Sequence, residues 1–149
     1  MKRKRSAVLV ILALVLVGAS ACSSANYGIA ALDREASADD QLPAALGDQL
    51  PSVVSNMDLD VDSIRKVVES DGVSYYLGEK DSEEGFCVIY ASDEDWLGGC
   101  GEAYAGELVS LFPGKEMDLP QVTLVEDEYS TQKLERDDWN RIHNNILIR

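Results

Sequence analysis

Four carboxylates, Asp58, Asp60, Asp62 and Glu69, stand at positions one, three, five and twelve of a possible calcium loop. Hard oxygen ligands at that spacing are what a calcium ion needs. The rest of the stretch argues against it. Ser63 stands where such a loop needs Gly, Val61 brings bulk, and residues 64–69 read as a strand. A solvated acidic turn is the better reading, and no metal is expected. Ser130-Thr131-Gln132-Lys133 places a hydroxyl one helical turn from an amine, the Ser-x-x-Lys spacing of a Ser nucleophile. The companion Ser-Asp-Asn and Lys-Thr-Gly motifs are missing, so a helix cap is the plainer account. His143 is the single histidine, so any His-dependent triad or His-rich metal site would have to be built around it. It sits beside Asn144-Asn145, where a polar turn residue is ordinary. No phosphate loop or Gly-rich dinucleotide motif is present, and no cofactor is expected. The many Asp and Glu leave an acid–base pair open, but nothing in the sequence marks out one pair, because a perturbed pKa requires burial.

The strongest signal lies at the N-terminus. Lys2, Arg3, Lys4 and Arg5 form a cationic head, and Ser6 to Ala21 is an uncharged run. Ala19-Ser20-Ala21 then leads directly into Cys22. This is the layout of an export signal: charged head, apolar centre, small-residue cleavage region. As a helix rising ~1.5 Å per residue, the run reaches roughly 24 Å, short of a ~30 Å hydrocarbon core, so a cleaved segment fits better than a stable span. The Lys and Arg head should stay in the cytoplasm and place the rest outside.

Residues 19–22 with their apolar lead-in resemble the lipobox signal of bacterial lipoproteins. The resemblance covers residues 1–22. It implies that Cys22 carries a diacylglyceryl thioether, that residues 1–21 are removed, and that the membrane is a partner through the lipid. The family favours Leu three residues before the Cys, where this chain has Ala19. Ala19-x-Ala21 also suits an ordinary signal peptidase, so a secreted, non-lipidated protein is the alternative. A Cys in that register favours lipidation, since soluble export has no need of it.

Removal of residues 1–21 takes away four of the 13 Lys and Arg and none of the 27 Asp and Glu. Nine cations against 27 anions give the remainder a formal charge of −18. That balance excludes nucleic acid as a partner, because phosphate binding requires Lys and Arg to replace counterions. It also opposes close approach to an anionic bilayer. The remaining length suits one small domain with a tether. The expected division is a signal over 1–21, a lipidated Cys and flexible tether over 22–36, and an acidic extracytoplasmic domain over 37–149.

Within that domain, Ser37 can cap a short helix over Ala38 to Leu42, and Pro43 can start a second turn. Pro51 to Asp62 reads as a turn-rich connection. From Ile64 onward short β-prone runs are divided by turn signals: Asp71-Gly72, Lys80 to Gly85, Ser92 to Asp95, Pro113-Gly114 and Asn144-Asn145. Glu107 to Phe112 fits strand or helix, and Ser130 or Thr131 can cap a short helix to about Arg136. The expected fold is therefore α+β: a small antiparallel sheet of hairpins with one or two short helices.

If Cys87 faces Cys100, then Ala91 opposes Trp96 and a four-residue loop, Ser92 to Asp95, closes the hairpin. Strand alternation then puts Cys87, Ile89 and Ala91 on one face with Trp96 and Cys100. With Cys22 lipidated, an exported chain has these two cysteines left, and an oxidising compartment favours a disulfide over two buried thiols. No Cys-x-x-Cys is present, so a redox role is not expected. Gly72-Val73, Tyr75-Tyr76, Cys87, Cys100 and Trp139 also resemble small bacterial lipoproteins built on one cysteine hairpin. That resemblance covers residues 62–149 and implies a compact sheet without a particular activity.

These readings converge on an extracytoplasmic, lipid-anchored protein with a non-catalytic binding or envelope-accessory module, its partner a ligand or envelope protein. A small envelope hydrolase using an Asp/Glu pair is the alternative. An enzyme should show a deep pocket with two or more buried carboxylates, and a binding module a shallow apolar or acidic patch.

Overall fold

β-prone runs separated by turn residues build two antiparallel four-stranded sheets in the computed structural model, which describes residues 28–82, 84–102 and 106–149. The first sheet is a meander of β1 (Arg65–Ser70), β2 (Val73–Glu79), β3 (Phe86–Ala91) and β4 (Trp96–Gly101). The second contains β5 (Glu107–Leu111), β6 (Val122–Val125), β7 (Asn140–His143) and β8 (Ile146–Ile148), in the order β5-β6-β8-β7. Two short helices, α1 (Leu50–Met57) and α2 (Gln132–Arg136), and several 3₁₀ turns complete an α+β fold that is mostly β.

Local chemistry accounts for the first meander. Asp71 (φ 52°) and Gly72 (φ 78°) both take positive φ, as a two-residue hairpin turn demands. The β3–β4 hairpin has the register expected from its cysteines: Cys87 opposes Cys100, and Ala91 opposes Trp96. Its loop is closed by the Ser92 N–H donating to the Asp95 carbonyl at 2.9 Å, while the Ser92 hydroxyl accepts from Asp95 N–H at 3.1 Å.

All six residues of β3 are buried, so both faces of the first sheet are covered. Phe86, Val88 and Tyr90 join Tyr75 and Leu77 against Val122, Leu124 and Ile146 of the second sheet. Cys87, Ile89 and Ala91 join Tyr76 beneath Leu46, Val53, Leu59 and Ile64 of the preceding helical segment. On the far side of the second sheet, Val125 and Leu147 pack with Trp139, flanked by Leu134 of α2. The Arg149 guanidinium lies 5.0 Å from the Trp139 ring centroid. Four layers result, in which one residue parity of each strand faces each neighbour.

Three expectations are corrected. Residues 51–62 are not a turn-rich connection, because α1 runs from Leu50 to Met57. Pro51 lies in the first helical turn, where its missing N–H costs nothing, and Val53 buries the helix against the first sheet. The helix ends at Asp58, which adopts the left-handed conformation itself (φ 53°). Residues 28–36 are not tether. Ile29 and Leu32 are buried in the central core, so the folded part already includes them, ahead of residue 37. The helix expected over Ala38 to Leu42 is a single 3₁₀ turn, Ala38–Asp40, with Ser37 and Asp40 forming a capping box. Of the two states open for Glu107 to Phe112, the structure has a strand.

Glycines of β4 set how closely the sheets approach. A Cβ on Gly98 would meet Ile89 and Met57 at 3.1 and 3.3 Å, and one on Gly99 would meet Leu111 at 2.6 Å. The room these residues leave is therefore filled by Met57 of α1 and Leu111 of β5. At Gly101 a Cβ would collide with the backbone carbonyl of Leu108, which no side-chain rotation relieves. Gly101→Ala is expected to destabilise the fold by about 2–3 kcal/mol as an overpacking change. Gly114→Ala, with nothing within 4 Å of the added methyl, should stay within ~0.5 kcal/mol. Urea denaturation midpoints of the two variants test the difference.

Candidate functional site

Two clefts flank the segment that leads into the fold. The first, of about 490 Å³, is lined by Ala30, Asp127, Glu128, Tyr129, Arg141 and Asn144. Asp127 organises it. One carboxylate oxygen accepts from the Ala30 N–H at 2.6 Å and the other from the Asn145 side-chain amide at 2.7 Å. Asn145 is 1 % exposed and also donates to the Val125 carbonyl at 3.1 Å. Three distant pieces of chain, the entering segment, the end of β6 and the β7–β8 turn, are thus tied at one carboxylate. His143 lies half-buried beside them, and its Nδ1 accepts from the Asn145 N–H at 3.3 Å. Burial pushes the His143 pKa down, with the Asp127 charge acting in the opposite direction. Arg141 pairs with Glu135 at 3.2 Å. The cleft offers a polar surface of carboxylate, guanidinium, phenol and amide groups, suited to hydrogen-bonding a polar ligand.

The second cleft, of about 390 Å³, has an apolar wall that includes Leu42, Leu50, Val61 and Ile64, and Asp40 lies among its lining residues. Asp40 is 7 % exposed and is crowded by donors. Arg34 donates to both of its oxygens, one bond measuring 2.8 Å. The N–H groups of Ser37 and Lys66 donate at 2.6 and 2.7 Å, and the Ser37 hydroxyl at 3.0 Å. The Arg34 hydrogen bond, ahead of the others, holds this carboxyl well below the usual carboxylate range despite burial. Arg65, itself buried, donates at 2.8 Å to the carbonyls of Arg34, Asp62 and Ile64. Every lone pair of Asp40 that a general base would use is already engaged. Asp40 and Arg65 fasten the entering segment to β1.

The other buried carboxylate among the described residues is Glu126, just past β6, and its Oε1 has no hydrogen-bond partner among them. It lines neither cleft.

The sequence-predicted residues are distributed as follows. Cys22 and the cleavage region Ala19, Ser20 and Ala21 lie outside the described residues. Cys87 and Cys100 are joined by a disulfide, with S–S 2.00 Å, and Cys100 Sγ lies 3.4 Å from the Met57 carbonyl of α1. The acidic series is not brought together. Asp58 accepts from the Ser82 N–H at 3.3 Å and from the Ser82 hydroxyl. Asp60 accepts from the Asp62 N–H at 3.0 Å and caps a 3₁₀ turn, while Asp62 is exposed. Glu69 rides on β1 and accepts from the Lys66 ammonium at 2.7 Å. An extended strand at ~3.3 Å per residue carries Glu69 about 16 Å beyond Ile64, where a calcium loop would have to curl back. Among the described residues, no three His, Cys, Asp or Glu side chains are placed to hold a metal ion. Ser130 and Lys133 are exposed; Ser130 precedes α2 and Lys133 lies within it, the helix beginning after Thr131, whose hydroxyl donates to Glu135 at 2.6 Å.

Sequence reasoning missed the roles of Arg34, Arg65, Asp127 and Asn145. Asp40 was legible only as an acidic residue in a helical first turn. Their partners lie up to 97 residues away, so no local spacing signals them. No helix among the described residues is long and apolar enough to cross a membrane. Compared with protein-family models, curated proteins and solved structures, the chain finds no match.

Proposed function

We propose that the chain is an exported bacterial lipoprotein, acylated at Cys22, whose folded part is a non-catalytic binding or envelope-accessory module. The observation that carries this reading is the order of its first residues: Lys2–Arg5, the uncharged run Ser6–Ala21, and Cys22 directly after Ala19-Ser20-Ala21. The arrangement of the folded part supports a binding role. The two clefts described above are open, and the carboxylates that shape them, Asp127 and Asp40, are engaged in holding the chain together. A disulfide in the β3–β4 hairpin fits an oxidising compartment.

The intact mass of protein extracted from membranes tests the reading. The expected mass is residues 22–149 plus acyl chains, rising by about two hydrogens on reduction of the one disulfide. A mass without lipid would leave a secreted or uncleaved protein and sink the anchored-module reading.

One observation favours the hydrolase alternative: the Oε1 of buried Glu126 has no hydrogen-bond partner among the described residues, and a buried polar atom of that kind calls for a functional account. Under that alternative, Glu126→Gln abolishes whatever hydrolysis the wild type shows while leaving its melting curve in place. Under the binding-module reading the wild type shows no hydrolysis to abolish.

A further inference from the structure

Both sheets share a common polarity of ends. Arg65, Glu79, Phe86 and Gly101 lie at one end of the first sheet, because Arg65 pairs with Leu77, Glu79 with Phe86, and Phe86 with Gly101. Glu107, Val125 and the β7–β8 turn lie at one end of the second. These ends coincide, since Gly101 abuts Leu108. The opposite ends also coincide. There the Tyr90 hydroxyl donates to the Pro120 carbonyl at 3.0 Å, and Asp95 accepts from the Asp118 N–H at 3.2 Å.

The chain enters at the first of these ends. The Gly28 carbonyl accepts from the Asp127 N–H at 3.2 Å, the Ala30 N–H donates to Asp127, and Arg34 and Asp40 then hold β1 beside its first residues. Seven Cα-to-Cα steps separate Cys22 from the buried Ile29, a reach of about 25 Å at ~3.6 Å each. Strands of about six residues are themselves about 20 Å long. Turning the domain over would use most of that reach and restrict the linker to nearly extended conformations, so the linker favours the entry end toward the membrane.

We propose that the entry end, with Asp81, Asp127 and Asn144, faces the lipid headgroups, and that the opposite end is held outward. This rests on the lipid anchor at Cys22. The outward end carries Asp71-Gly72, the Ser92–Asp95 loop and Phe112, the most exposed large apolar residue described, at 61 %. Repulsion between an acidic domain and an anionic bilayer draws the linker taut and favours the same orientation.

Energy transfer to headgroup-linked acceptors in phosphatidylcholine vesicles carrying the acylated protein tests this. A fluorescent amino acid is placed singly at Asn144 or Asp81, both at the entry end, and at Glu94 or Lys115, both at the outer end; all four are exposed. Transfer from the entry-end sites should exceed that from the outer sites at least twofold. Insertion of about twelve Gly and Ser residues between Ser24 and Ala25 should bring that ratio close to one. Equal or reversed transfer with the native linker would overturn the orientation. A ratio that survives the insertion unchanged would overturn the linker as its cause. A preparation whose mass shows no acyl group would overturn the anchor itself, an outcome distinct from the other two.

Discussion

Asp40→Asn lowers the unfolding free energy by about 3 kcal/mol, the cost expected when one partner of a buried charged network is removed and its donors are left facing an amide. The native carboxylate receives the Arg34 guanidinium, the N–H groups of Ser37 and Lys66, and the Ser37 hydroxyl. An amide offers one acceptor oxygen, and its NH₂ would point at donors. The effect depends on pH in a defined way. The Asp40 carboxyl is held below its ordinary value of 3.8, chiefly by the Arg34 hydrogen bond, so the unfolded chain binds its proton first as pH falls. The stabilisation is therefore fully present above that ordinary value and is lost as pH drops through the folded value. Guanidinium denaturation of both proteins should show a constant difference at pH 5–8 that narrows below pH ~4. A difference that stays constant down to pH 2 would mean the carboxylate charge is not what holds the segment. The variant should also expose residues 28–40 to protease before the sheets unfold, because Asp40 bridges that segment to β1.

Cys87→Ala with Cys100→Ala, made together, lowers stability by about 3 kcal/mol in the chain-entropy account of a short closed loop. For a domain of this size that is a fall in Tm of roughly 12 °C, at about 4 °C per kcal/mol. The bridge spans a sequence separation of 13, and Cys87 is fully buried between β2, β4 and the α1 layer. Paired alanines remove the cross-link without leaving a buried polar group. Calorimetry of oxidised wild type, reduced wild type and the double variant separates cross-link from side-chain volume. If the variant melts with the oxidised protein, the hairpin is held by its packing and the cross-link adds nothing.

The β3–β4 hairpin was legible because its determinants are local. Cysteine spacing, a short polar loop and strand alternation fix register and facing between Cys87 and Cys100, and Cys87, Ile89 and Ala91 face the layer that alternation assigns them. Asp71-Gly72, Asn144-Asn145 and the short helix after Thr131 were legible on the same ground: turn and cap chemistry acts among near neighbours in the chain. Helix α1 was hidden by Pro51, whose local meaning is ambiguous between a break and a first turn. Burial of Val53 against the first sheet decides between them, and that is a tertiary fact. The entering segment was read as tether because residues 23–31 are small and uncharged. Only the core pocket for Ile29 and Leu32, and a distant acceptor at Asp127, make it part of the fold.

The candidate sites divide along the same line. Residue types and spacing from Met1 to Cys22 carry the export and lipidation reading, and Cys87 and Cys100 carry the bridge. The same kind of reading placed four carboxylates in a calcium-like series, which the fold disperses because β1 is extended. The chain by itself therefore determined its charge, its hairpins and the signal-like order of its first residues, all of which depend on composition and near neighbours. The tertiary structure decided the division into two sheets, the place of Ile29 and Leu32 in the core, the engagement of Asp40 and Asp127, and the burial of Glu126. Those depend on which polar groups lose water together, and chain segments far apart in sequence supply the partners.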